Sequence, residues 1–473
     1  MSFVERYLPS TGPRLILAAS VPVALSSGTL FVYSVYGTQL ADQCGLDSSS
    51  AANLNISATV GTSIGGLLGG YITDLLGTQI PVFCSLVFIS FGYKWLHSLY
   101  NQGDNAQSWQ LIAAMFFIGL GSTSSYFASL KAVTVSFPKY KATAQSITIA
   151  SFAISSLLYS LVYTKVFHGD VSRFLFFLAA SSTVMQLIGV IYIRIAGHKN
   201  SVPNQDFFEE GQQLLEESES DSALDVPDEN KHQVGSLKHL NLRSSIIHPI
   251  FLVHFFLMAI LQGLGQMYIY SVGFIVKAIY YGFLHSSSNS NNVPSLHSLQ
   301  ALHVSLIAIF SFLGRLTSGP LSDNMVHRFK CQRHWVTVLG VLIMLLGHFL
   351  LSFPIDTWSS NLTHVNVCLS LISCIIGFAY GLCFTTFPGI MADLFSMKNY
   401  SLIWGIVYSS TVPGLTVFTK IFGYIYDHNS VLVGDDYVCD KGSFCYLATF
   451  ELTSCLTVIV LVVLLVYIYL RRS

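Results

Sequence analysis

Twelve apolar runs occupy more than half of the chain, at about residues 15–40, 51–76, 79–98, 108–132, 143–166, 172–195, 249–275, 298–321, 334–353, 363–390, 401–426 and 447–470. A helix needs about 20 residues to cross a bilayer, and in lipid the backbone must satisfy its own hydrogen bonds. Each run therefore reads as a membrane-spanning helix. Of the 473 residues, 10% are charged and 52% hydrophobic, against roughly 25% charged in a soluble domain. The sequence predicts an all-α polytopic membrane protein with 12 transmembrane helices in two six-helix halves, embedded in a lipid bilayer. The net charge of −1 offers nothing to nucleic acid. No small-residue cleavage site follows the first run, so it is expected to be a retained helix, not a signal peptide.

One long polar stretch divides the twelve runs. Residues 197–246 hold ten acids between Asp206 and Glu229 and cannot bury enough apolar surface to fold alone. The expected organisation is an N-terminal six-helix bundle over 1–196, an acidic disordered cytosolic linker over 197–246 and a C-terminal six-helix bundle over 247–473. With the N-terminus in the cytosol, only Lys94, Lys165, Arg173, Lys277, Lys420 and Lys441 of the 23 basic residues fall on the far side. That bias puts both termini and the linker in the cytosol. It puts the polar loop holding Cys439 and Cys445 where a disulfide between them survives, two free thiols being the other reading. Asn361-Leu362-Thr363 is a glycosylation sequon beside a helix start. In the linker, Glu210 followed by Leu214 and Leu215 has the form of an acidic dileucine signal for a sorting adaptor. It points to the vacuolar or lysosomal membrane over the plasma membrane. Ser218, Ser220 and Ser222, set among acids, are candidate kinase sites.

A short signature occurs twice, each time where a long apolar run meets a charged loop. The first copy is Gly69-Gly70-Tyr71-Ile72-Thr73-Asp74-Leu75-Leu76-Gly77 and the second is Gly314-Arg315-Leu316-Thr317-Ser318-Gly319-Pro320-Leu321-Ser322-Asp323. The glycines let a neighbouring helix approach. The Asp is suited to accept from the N-terminal amides of the following helix or to pair with a basic side chain. Gly61, Gly65 and Gly69, spaced by four, predict tight helix packing.

This pattern resembles the major facilitator superfamily over the whole chain. Within it, the likeness is to nodulin-like carriers and the fungal monocarboxylate-transporter homologues. That likeness is carried by Phe137-Pro138-x-x-Lys141-Ala142-x-Ala144, by Tyr380-Gly381-Leu382-Cys383-Phe384-Thr385-Thr386-Phe387-Pro388 and by the stretch from Gly263 to Gly273. The resemblance implies a secondary active transporter rocking two halves about a central site. In it, Gly70, Asp74, Gly77, Arg315, Gly319 and Asp323 are gate contacts. Proton coupling is implied by the resemblance alone. The loop after Asp74 lacks the usual arginines, so the first latch is expected to be the weaker. A midplane Arg, or a Lys–Asp couple, for a monocarboxylate is not evident.

If the resemblance holds, helices one, four, seven and ten line the cavity. At about 1.5 Å per residue, their midpoints fall near residues 28, 121, 262 and 377. Gln262 and Gln266 share one helix face, and an amide in hydrocarbon must find a partner, either a solute or a neighbouring helix. Tyr33, Tyr36, Tyr126, Tyr270 and Tyr380 are further candidates, with core packing as the plainer reading of each. Lys277 is the candidate for attracting an anion. No Asp, Glu or Arg is expected near the middle of any span. His254, His303 and His348 read as interfacial hydrogen-bonding residues more readily than as proton relays. No phosphate loop, metal-spaced His/Cys cluster or paired carboxylates point to an enzyme, a cofactor or a metal. The expected function is transport of a small organic solute, monocarboxylate-like or amino-acid-like, by alternating access. The rival is a non-transporting sensor or scaffold on the same fold.

Overall fold

The computed structural model describes residues 12–46, 48–194, 237–286, 295–358, 361–433 and 436–471. Seven helices form the N-terminal part: α1 (Pro13–Ser27), α2 (Tyr33–Gln43), α3 (Ser48–Leu76), α4 (Gln79–Gln102), α5 (Ser108–Ser136), α6 (Lys141–Lys165) and α7 (Val171–Tyr192). Eight follow: α8 (Leu242–Ile247), α9 (Pro249–Ser286), α10 (Leu296–His327), α11 (His334–Leu351), α12 (Leu362–Leu394), α13 (Tyr400–Ser409), α14 (Thr411–Asn429) and α15 (Leu447–Leu470). All twelve apolar runs are helical. Two are interrupted. A 3-10 turn, Gly28–Val32, separates α1 from α2. α13 yields to α14 at Ser410, just ahead of Pro413, whose missing N–H cannot extend the helical ladder.

Eleven of these spans are long and apolar enough to cross a membrane. The other, α3, is diluted by Asn53, Asn55, Ser57, Thr59, Thr62 and Ser63. It nevertheless packs closely along α5. A Cβ at Gly61, Gly65 or Gly69 would lie 2.4, 2.3 or 2.6 Å from atoms of α5. Gly314 of α10 and Gly381 of α12 repeat this approach, at 2.2 and 2.1 Å from the facing carbonyls. Small residues allow such backbone contact where lipid gives no hydrophobic drive for helices to associate.

The buried apolar side chains form three clusters. Two lie wholly among α1–α7. The third belongs to the C-terminal helices and extends across through Ala24, Tyr126, Phe127, Leu130 and Ile149, with Phe152 packed against it. A two-stranded hairpin, β1 (Val431–Val433) with β2 (Asp436–Val438), is a small departure from an all-helical chain. Beyond it, Cys439 and Cys445 are joined by a disulfide.

The end of the expected linker is ordered, which corrects its boundary. Leu237–His239 form a 3-10 turn and α8 follows. Leu237 is buried in the C-terminal cluster, and Leu240, Leu242 and Ile246 pack against it. Those apolar residues give this piece the surface that the acidic stretch lacks. Glu210, Leu214 and Leu215 lie outside the described residues.

Candidate functional site: a cross-capped latch below an aromatic cleft

With twelve spans, both chain ends lie on one face, and the two repeated motifs lie there too. Each carries an aspartate that caps a helix of the opposite part of the chain, not the helix that follows it. Asp74, at the end of α3, accepts from the backbone N–H of Ser401 at 3.2 Å and of Leu402 at 2.8 Å, at the start of α13. Asp323, in the last turn of α10, accepts from the N–H and hydroxyl of Thr143 at 2.8 and 2.7 Å, at the start of α6. A carboxylate suits these positions because the first amides of a helix lack partners and carry the positive end of its dipole. The glycine one turn earlier makes room in both copies. A Cβ at Gly70 would lie 2.6 Å from the Ser401 carbonyl oxygen, and one at Gly319 would lie 2.4 Å from that of Ala142. Gly77 ends the first copy at φ +90°, a conformation that favours glycine.

Each aspartate also holds a buried cation. Lys131 Nζ lies 2.6 Å from Asp74, and Arg333 Nη1 lies 2.6 Å from Asp323. The first latch therefore has its positive charge, drawn from inside α5 and not from the loop where arginines were sought. In the second, Arg333 also donates to Asp393 at 2.7 Å, and Lys141 of the N-terminal part pairs with the same carboxylate. Burial opposes the Arg333 charge, but Asp393 and Asp323 outweigh it and hold its pKa above the usual arginine value. Gln145 donates across to the Tyr400 hydroxyl at 2.9 Å, and His327 bonds the Lys139 carbonyl. This face is closed.

Above the latch lies a layer of rings. Phe127 of α5 meets Tyr408 at 5.4 Å and Trp404 at 6.2 Å, and Phe384 meets Trp404 at 6.0 Å. Phe127 and Trp404 are wholly buried, so the layer separates the latch from what lies beyond.

Beyond the layer is Arg315. It lies near the middle of α10, about 12 Å along the axis from Asp323. It is 6% exposed. Its Nε donates to Ser311 Oγ at 3.4 Å, and its Nη1 has no hydrogen-bond partner. Among the described residues no carboxylate pairs with it. The guanidinium carbon stands 4.6 Å from the Phe384 ring centre and 5.4 Å from that of Tyr380. Cation–π contact offsets part of its desolvation. An unpaired buried charge stays costly.

Some of the predicted site residues lie around Arg315. Tyr380 packs on the α9 backbone, where a Cβ at Gly265 would lie 2.4 Å from its ring. Its hydroxyl accepts from Gln266 Nε2 at 3.3 Å. Tyr126 stacks on Phe152 at 4.4 Å, has no hydroxyl partner, and lies within electrostatic reach of Arg315 and Tyr380. Tyr270, one turn on from Gln266 in α9, is 55% exposed. Gln262 is fully buried, with both ends of its amide unpartnered. Lys277 is half-buried two turns beyond Tyr270. Tyr33 and Tyr36 lie elsewhere, their rings 5.6 Å apart beside the N-terminal core. The histidines are interfacial: His254 bonds His334, His303 bonds Ser373 and Asn366, and His348 bonds Thr453.

One placement is corrected: Arg315 lies near the middle of α10, against Tyr380 and Phe384, and not at the helix end beside Asp323. Counting helical rise back from Asp323 would have found it. The aromatic layer gave no such signal, because buried rings in a membrane helix look like core.

A model of the Major Facilitator Superfamily matches residues 17–410. An uncharacterized membrane protein of Saccharomyces cerevisiae is 29% identical, covering 91% of this chain and 90% of its own length. The "Probable transporter MCH1" of Wickerhamomyces anomalus is 26% identical, covering 88% and 80%. Among solved structures, the proton:xylose symporter XylE superposes with a TM-score of 0.62 over 94% of both chains at 14% identity, a likeness of fold.

Proposed function

Because the chain belongs to the major facilitator superfamily, a family of transporters, we propose that it carries a small organic monoanion across its membrane by alternating access. The observation that carries this reading is Arg315, buried against the Phe384 and Tyr380 rings with no paired carboxylate among the described residues. The cleft offers one cation to a carboxylate and rings to an organic body. Among the described residues no carboxylate pairs with Arg315 that could serve an ammonium group, and Asp74, Asp323 and Asp393 are engaged in the latch. Of the two solute classes expected from the sequence, the monocarboxylate fits and the zwitterionic amino acid does not.

The two six-helix bundles, 1–196 and 247–473, rock about this site, and the latch holds them together on the cytosolic face. Lys277 draws anions toward Arg315 from the other side. Gln262 and Gln266 supply hydrogen bonds to the solute. A proton is the coupling ion, as the resemblance implies, and the dileucine segment directs the carrier to the vacuolar membrane. The test is uptake of labelled monocarboxylates, their neutral amides and the matching amino acids into proteoliposomes. Saturable uptake confined to the carboxylates supports the reading, and uptake of all three classes alike refutes it. Gln262→Ala with Gln266→Ala should weaken uptake without unfolding the protein.

A further inference from the structure

The latch face carries a second feature that transport does not use. Between the Leu237–His239 turn and the loop joining α12 to α13 is a hollow of about 390 Å³. Its polar lining is Lys238, Asn241, Ser396, Lys398 and Asn399. No acid lines it, and neither lysine makes an ion pair among the described residues. Asn241 and Asn399 stand at the N-cap positions of α8 and α13, yet neither side chain caps its helix. Both carboxamides are thus available. Ser396 Oγ accepts from the Lys398 N–H at 3.3 Å, which leaves its own O–H to donate.

We propose that this hollow binds a phosphate-bearing anion, and that the bound anion holds the latch shut. Two ammonium groups and three neutral donors suit a group with several charged oxygens. The volume lies within the roughly 300–1,000 Å³ of small-molecule sites. A single carboxylate would leave most of it empty. The loop it touches has latch residues on both sides. Asp393, which pairs with Arg333 and Lys141, precedes it, and the Ser401 and Leu402 amides that hold Asp74 follow it. Fixing Ser396, Lys398 and Asn399 fixes those amides. The same chemistry is offered by a free inositol phosphate and by a lipid headgroup. The lipid source is within reach, since α8 starts at Leu242 in the lining of the hollow and exposes Ile247 at its other end. The effect on the latch rests on the carrier reading. The binding does not, so binding and transport fail separately.

The experiment measures binding to the full-length protein in detergent by thermophoresis. The probes are inositol hexakisphosphate, a short-chain phosphatidylinositol bisphosphate and phosphatidylcholine. Lys238→Gln with Lys398→Gln is compared with native protein and with Lys238→Arg plus Lys398→Arg. Each lysine near a charged ligand is worth about fivefold in affinity. The Gln pair should therefore bind at least about tenfold more weakly, while the Arg pair stays near native and phosphatidylcholine binds none of them. Loss for both phosphate probes supports a free ligand, and loss for the lipid alone supports a headgroup. Equal binding by native protein and the Gln pair, or no binding of either phosphate probe, overturns the site. In a background without the native free cysteines, the probe should slow maleimide labelling of Ser146→Cys on the latch. An unchanged rate overturns the latch effect.

Discussion

The guanidinium carbon of Arg315 stands 4.6 Å from the centre of the Phe384 ring, and no carboxylate pairs with it among the described residues. A planar cation held on a ring is not equivalent to an ammonium on a flexible stem. Arg315→Lys keeps the charge but loses the stacked, forked geometry. Its KM for a transported monocarboxylate should rise on the order of tenfold while the maximal rate changes less. Initial-rate uptake checks this.

Asp74 and Asp323 make matching contacts in opposite directions across the molecule. Removing the charge from one member of a buried pair costs on the order of 3–5 kcal/mol. Asp74→Asn and Asp323→Asn should each shift the protein toward a state open on the latch face. Maleimide labelling of Ser146→Cys, buried against Gly319 in the closed form, should speed up in both. The two single variants should have effects of similar size, since each aspartate has its own cation.

The helices were legible because membrane spans are long and apolar, and local composition alone marks them. The latch was half legible. The glycine-to-aspartate spacing is visible in the sequence, but the partners of Asp74 are Lys131 and the amides of residues 401 and 402. Only the folded chain brings these together. Arg315 is visible in the sequence, but its neighbours Gly314 and Gly319 belong to a helix-end motif and assign it there. Its place on α10 against Phe384 and Tyr380 is visible only in the folded chain. The linker boundary failed for a similar reason. Leu237, Leu240 and Leu242 are sparse in sequence, but all reach the C-terminal core.

Cys439 and Cys445 close a short loop whose Ser443 N–H donates to Asp356 at 3.0 Å. Gly442 lies between them at φ +59°. Closing so small a ring stabilises by about 2 kcal/mol in the chain-entropy picture. Cys439→Ser with Cys445→Ser should lower Tm by a few degrees, and reductant should then have no further effect. Thermal unfolding with and without reductant measures this.

Leu214 and Leu215 follow Glu210 in the acidic segment. Replacing both leucines by alanine should move a fluorescently tagged protein from the vacuolar membrane to the plasma membrane. An unchanged location under the microscope removes the role proposed for the motif.

The most direct measurement is substrate counterflow in proteoliposomes, comparing native protein with Arg315→Gln, for a monocarboxylate and its neutral amide. Native protein should exchange the carboxylate and not the amide. Arg315→Gln, monodisperse on gel filtration, should fall to the background of empty liposomes. Undiminished carboxylate exchange by Arg315→Gln, or no exchange of any solute by native protein, would contradict the account.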